Sequence, residues 1–101
     1  MQRKQLNALK KIFGESDEVV VRIFNALGDP CRLHIIKMIS AKEDLCVSEI
    51  ASVCNITPSA ASQHLTVLER AGVVRRIRMG QKTCFEIRRD NKVVRALLKI
   101  I

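Results

Sequence analysis

The soft-donor and redox chemistry open to this chain of 101 residues rests on four cysteines and two histidines. The cysteines stand at positions 31, 46, 54 and 84 with no CxC or CxxC step. Their spacing therefore predicts neither a structural disulfide framework nor a closed zinc knuckle. Cys31 falls in the first turn after Asp29-Pro30, and Cys46 occupies a helix-cap position where Ser or Thr is usual. The partial positive charge of a helix N-terminus favours thiolate, the form that oxidants and soft metals find first. Cys46 and Cys31 are thus the candidate sensor thiols, set against the plainer reading of a weak cap and a filler. Cys54 lies on an apolar stripe and reads as a small buried hydrophobe. Cys84 alternates to the face opposite Phe85 and reads as exposed. His34 reads as a surface or interhelix packing residue, and His64 as a flank residue. No local spacing supplies the four tetrahedral ligands of zinc, so no metal site and no resident cofactor is assigned. The chain also lacks a Gly-rich phosphate loop, paired catalytic carboxylates and a nucleophile with a base at recognisable spacing. No enzymatic activity is expected.

A second group of residues suits recognition. At about 100° per residue, Ser59, Ser62, Gln63, Thr66 and Arg70 gather on one face of a segment whose opposite face holds Ala61, Leu65 and Leu68. His64 and Ala71 lie on the flank. An ordinary solvated face would carry Glu and Lys pairs. A nearly uncharged face of hydroxyls and an amide with one Arg suits hydrogen bonds to base edges and phosphates in a major groove. Downstream, Arg75, Arg76, Arg78, Lys82, Arg88 and Arg89 are offset within their own stretch by Glu86 alone. Such a run is either a solvated surface or a grip on phosphates.

The segment that positions the polar face is a helix with both ends written into it: Thr57 as N-cap, Pro58 at the first helical position, Gly72 to close the last turn. Before it, Val47, Ile50, Ala51 and Cys54 form an i, i+3, i+4, i+7 stripe. Glu49 and the Leu45–Ile50 pair fit a capping box and a hydrophobic staple around Cys46. Helix, short turn Asn55-Ile56-Thr57, then a longer helix is the layout of a helix-turn-helix. After Gly72 the period shifts towards two. Val73–Arg78 and Thr83–Arg88 read as a hairpin around Met79-Gly80-Gln81-Lys82, with Phe85 and Ile87 inward. Upstream, Leu6, Leu9, Ile12 and Phe13 have helical spacing until Gly14. Ser16 caps a helix of Val19, Val20, Ile23, Phe24 and Leu27 that ends at Gly28. Asp29-Pro30 opens another to about Ile39, followed by a polar connection over 40–44. Asp90 is expected to cap a last helix that runs to the apolar end at Ile100 and Ile101. Helices this apolar at both ends of a small domain point to a subunit seam.

Composition agrees with this. The chain is one domain's length, 48% hydrophobic, and carries a net charge of +8, which points to nucleic acid or another anionic surface. Its aromatics are Phe13, Phe24 and Phe85, too few for a platform that stacks single-stranded bases. No apolar run approaches ~20 residues, so no membrane span is expected, and no signal peptide is recognisable. The cytoplasm is the expected location.

With this order of elements, the chain resembles the ArsR/SmtB family of winged helix-turn-helix repressors from about Asp17 to Ile101. The resemblance rests on Ala26-Leu27-Gly28-Asp29-Pro30-Cys31-Arg32-Leu33, on Leu45 to Ala51, on Ser59 to Val74, and on the wing pattern from Gly80 to Ile87. It implies a mostly α fold with a small β-hairpin wing in one domain over 1–101. The helix-turn-helix covers about 46–72 and the wing about 73–89, with dimerisation helices at about 2–27 and 90–101. It also implies a homodimer that represses a promoter at an inverted-repeat DNA operator and lets go when an inducer, thiol oxidation or a thiophilic metal, arrives. By position, Ser59, Ser62, Gln63 and His64 would lie at the DNA, with Arg78, Gln81 and Lys82 from the wing. Thr66, Arg70 and Arg76 join them from the residue reading. The family's thiolate step of two cysteines reads Cys46-Val47-Ser48 here, and the last helix offers Asp90 but no histidine. A constitutive or architectural DNA-binding protein without an inducer is the alternative.

Overall fold

The computed structural model describes residues 2–7 and 17–101. Helix α1 is described over residues 3–7, and Leu9, Ile12, Phe13, Gly14 and the expected cap Ser16 lie outside the described residues. There follow α2 (Asp17–Leu27), α3 (Pro30–Ala41), β1 (Leu45–Cys46), α4 (Val47–Cys54), α5 (Pro58–Arg70), β2 (Val74–Met79), β3 (Lys82–Ile87) and α6 (Lys92–Leu98).

The capping residues act as their chemistry predicts. Asp29 accepts the Arg32 amide at 3.0 Å and opens α3 with Pro30 behind it. Thr57 does the same for α5 through the Ala60 amide at 3.1 Å. At the far end of α5, Val73 N–H reaches Leu68 C=O and Gly72 N–H reaches Glu69 C=O, each at 3.0 Å. This closure needs a left-handed residue, and Gly72 supplies it at φ 82°. α4 ends on the same pattern, with left-handed Asn55 and an Ile56 N–H bond to Ala51 C=O.

The core is aliphatic. Ile23 of α2, Ile35, Ile36 and Ile39 of α3, Ile50 of α4, and Leu65 and Leu68 of α5 are sealed from solvent around Phe85 of β3. The helix-turn-helix pair α4–α5 therefore rests on α3 and on the inner face of a small sheet.

Several expectations are corrected. The hairpin gains a third strand: β1 pairs antiparallel with β3, Leu45 opposite Phe85 and Cys46 opposite Cys84, giving the order β1-β3-β2. This pairing joins Cys46 and Cys84 in a disulfide, although spacing alone had argued against one. Cys84 is fully buried rather than exposed, because Cys46 and Ile77 flank it across the strands. The cap of α6 is Asn91, whose Oδ1 accepts the Val93 and Val94 amides, while Asp90 turns to Arg88. α6 stops at Leu98, short of Ile101, and α3 runs on to Ala41, into the expected connection.

Candidate nucleic-acid interface

α5 presents Ser59, Ser62, Gln63 and Arg70 to solvent, with Thr66 half-buried at the edge of the same face. Ala61, Leu65 and Leu68, which anchor the helix from beneath, are buried. The polar face is thus an outer surface held at both ends by caps and from below by the core.

Beside it stands the hairpin of β2 and β3, paired from Val74–Ile87 to Met79–Lys82 and turning at Gly80, whose φ is 66°. Its cations divide into two kinds. Arg75 pairs with Glu86, Arg88 with Asp90 at 2.9 Å, and Arg89 with Glu43 at 2.8 Å. Arg76 reaches the Glu69 carboxylate at 3.2 Å while lying 5.2 Å above the Phe85 ring, which ties the wing to the C-terminal end of α5. Among the described residues, Arg70, Arg78 and Lys82 form no ion pair, and Arg78, Gln81 and Lys82 are exposed around the wing tip. Within the hairpin, the cations left open to an anionic partner are therefore Arg78 and Lys82 at its tip.

A groove of about 360 Å³ runs between the two, bounded by Ser62 and Pro58 of α5, Arg76, Lys82 and Thr83 of the wing, and Cys46 to Ser48. The disulfide lies at its foot. Cys46 is the N-cap of α4, and its amide donates to Glu49 Oε1 at 3.0 Å, the return bond of the expected capping box. The bond to Cys84 thus fastens the start of the helix-turn-helix to the central strand of the wing.

His64 is turned from the outer face towards the start of α3. Its Nδ1 lies 3.3 Å from Arg32 Nη1, whose Nε donates to Ala26 C=O at 2.6 Å. The Arg32 amide holds the Asp29 carboxyl below its usual range, and the Arg32 and His64 charges add to the effect. Asp29, Cys31 and His64 bring one donor atom each to within 4.8 Å of one another, a grouping that sequence spacing did not expose. Cys54 is half-buried, with its Sγ 3.7 Å from Met38 Sδ. Burial first, and the neighbouring Cys31 second, push its thiol pKa up. Cys31 and Cys46, the two candidate sensor thiols, belong to different sets: Cys31 faces His64 and Cys54, and Cys46 faces Cys84. His34 is exposed on α3.

Residues 29–76, from the cap of α3 to the first half of the wing, match the family model described as bacterial regulatory protein, arsR family. The HTH-type transcriptional regulator MJ1325 of Methanocaldococcus jannaschii is 31% identical over 87 residues, covering 86% of this chain and 96% of that protein. The chain belongs to the ArsR family. A cadmium resistance transcriptional regulatory protein CadC homolog of Staphylococcus aureus is a further relative of this ArsR protein, 26% identical over 96 residues, covering 94% of this chain and 78% of that one. Among solved structures, the homodimeric winged helix-turn-helix DNA-binding domain Mb0332 of Mycobacterium bovis superposes with a TM-score of 0.72 at 28% identity and 85% coverage of each chain. As an ArsR-family member the chain is a DNA-binding transcriptional regulator rather than an enzyme, and its fold is a winged helix-turn-helix. No described helix is long and apolar enough to cross a membrane.

Proposed function

We propose that this ArsR-family chain is a sequence-specific repressor that acts in the cytoplasm as a homodimer on an inverted-repeat operator. The observation that carries the reading is the exposed, nearly uncharged face of α5 beside Arg78 and Lys82, which have no acidic partner among the described residues. Ser59, Ser62, Gln63 and Thr66 read base edges, and Arg70, Arg78, Gln81 and Lys82 hold the backbone. Arg76 sets the angle of the wing through Glu69 and Phe85. Half-buried His64 borders the base-reading face and steers it from the flank. Two such helices in successive major grooves, about one turn apart, require a two-fold operator. Val21 and Phe24 on α2 are 54% and 53% exposed, and Ile100 beyond α6 is 78% exposed, apolar surface suited to a subunit seam.

The inducer in this reading is an oxidant that acts on Cys46 and Cys84. A peroxide takes two electrons and two protons from the thiols, forming the S–S bond and releasing water and an alcohol, or two waters from hydrogen peroxide. The new bond tethers the cap of α4 to the wing at the foot of the groove, and the complex comes apart.

The test is electrophoretic mobility shift of reduced protein on DNA from upstream of its own gene, before and after diamide. The reading expects a shift that diamide abolishes and dithiothreitol restores. Binding that persists in fully oxidised protein refutes the oxidation step, and absence of binding in either state refutes the operator assignment.

A further inference from the structure

We propose that Asp29, Cys31 and His64 form a binding site for one borderline or soft divalent cation of the zinc, cobalt and cadmium class. Carboxylate, thiolate and imidazole are three different donor types, drawn from the two ends of one short loop-to-helix step and from a separate helix, α5. Their ligand atoms all lie within 4.8 Å of one another, and all three residues are half-buried. A ring of that size contracts onto a tetrahedral ion through small side-chain rotations, since metal–ligand bonds of about 2.0–2.3 Å put neighbouring ligand atoms under about 4 Å apart. The fourth position goes to water.

The backbone already holds two of the three donors. Asp29 is fixed as the α3 cap through its Oδ2, which leaves Oδ1 for a cation. Cys31 sits in the first turn of α3, and the helix keeps its sulfur beside that carboxylate. His64 arrives from α5 because Leu65 and Leu68 bury the helix in one rotational setting. The charges facing the site are Arg32, whose Nη1 lies at His64 Nδ1, and the positive end of α3. Both oppose a lone cation. A carboxylate and a thiolate together carry two negative charges and offset a divalent ion, which a purely histidine set would not do. Arg32 also has an alternative anchor in the Ala26 carbonyl, so it can give up the imidazole. The donor mix of one S, one N and one O selects ions of intermediate softness over magnesium or calcium, which prefer oxygen alone.

The site stands apart from the Cys46–Cys84 pair and does not depend on the nucleic-acid reading. If that reading holds, a cation on His64 would clamp α5 to the start of α3, on the flank of the base-reading face.

The experiment is a cobalt(II) titration of metal-free, full-length Cys46→Ala/Cys84→Ala protein, followed by absorption and without DNA. The expected result is saturation at one ion per chain, with the visible bands of tetrahedral cobalt and a near-ultraviolet thiolate charge-transfer band, both bleached by zinc. Cys31→Ser removes the charge-transfer band. Asp29→Asn, which keeps a good helix cap, and His64→Gln each weaken binding at least about tenfold. Thermal unfolding of each variant verifies that it is folded, and zinc should raise the midpoint of the parent but not of Cys31→Ser. Absence of saturable cobalt bands in the folded parent overturns the proposal. So does a charge-transfer band that survives Cys31→Ser, or an affinity unmoved by His64→Gln.

Discussion

Arg76 and Arg78 stand two residues apart on β2 and have different tasks. Arg76 is spent on Glu69 and the Phe85 ring, whereas Arg78, like Lys82, has no acidic partner among the described residues. Replacing Arg78 or Lys82 by Ala should weaken DNA binding almost equally on all sequences, and should reduce the slope of log affinity against log salt by about one each. Gln63→Ala should instead cost about 1–3 kcal/mol of discrimination at one base pair, read by comparing operators altered there. Asp90 makes a different prediction. The Arg88 hydrogen bond holds its carboxyl down to about 2, below its value of about 3.9 in an unfolded chain. A depressed folded value means that the stabilisation is present above about pH 4 and disappears as pH falls towards about 2. Urea midpoints of the parent and Asp90→Asn should therefore converge over that window. The polar face and the basic run were legible in the sequence because each lies within one element. The partners that divide the cations were not, since Glu43 and Arg89 meet only after the chain has turned back on itself. The same holds for His64, whose neighbours Asp29 and Cys31 come from another helix.

At the scale of elements, α5 was readable to its ends because Thr57, Pro58 and Gly72 each have a conformational reason for their place. Thr57→Ala removes the acceptor for the Ala60 amide and should destabilise the fold by about 1 kcal/mol in urea. Strand β1 was not readable. Two residues show no period, and a hydrophobic staple and a helix cap explain Leu45 and Cys46 without a strand. That short strand matters, because its register sets Cys46 against Cys84. Either Cys46→Ser, with a better cap residue, or Cys84→Ala should leave fold and DNA binding intact and abolish the response to diamide. A variant that still dissociates from DNA on oxidation would move the sensor elsewhere. α6 shows the limit of cap reading: Asp90-Asn91 offers two good caps in a row, and the Arg88 guanidinium claims the first.

The whole molecule has a sealed core beneath α4 and α5 and apolar side chains left outside on α2 and after α6. Phe24→Glu should shift sedimentation from dimer to monomer and lower operator affinity steeply, without unfolding a side chain that is half exposed in the single chain. The central claim is that two copies of α5, steadied by their wings, read one two-fold DNA sequence. Its most direct test is fluorescence anisotropy of reduced, metal-free protein on DNA from upstream of its own gene and on a scrambled duplex of equal length, at one salt concentration. The affinity ratio should be about a thousand or more, with two chains bound per operator. Equal affinities for the two duplexes would contradict it and leave a basic winged helix that binds DNA without reading it.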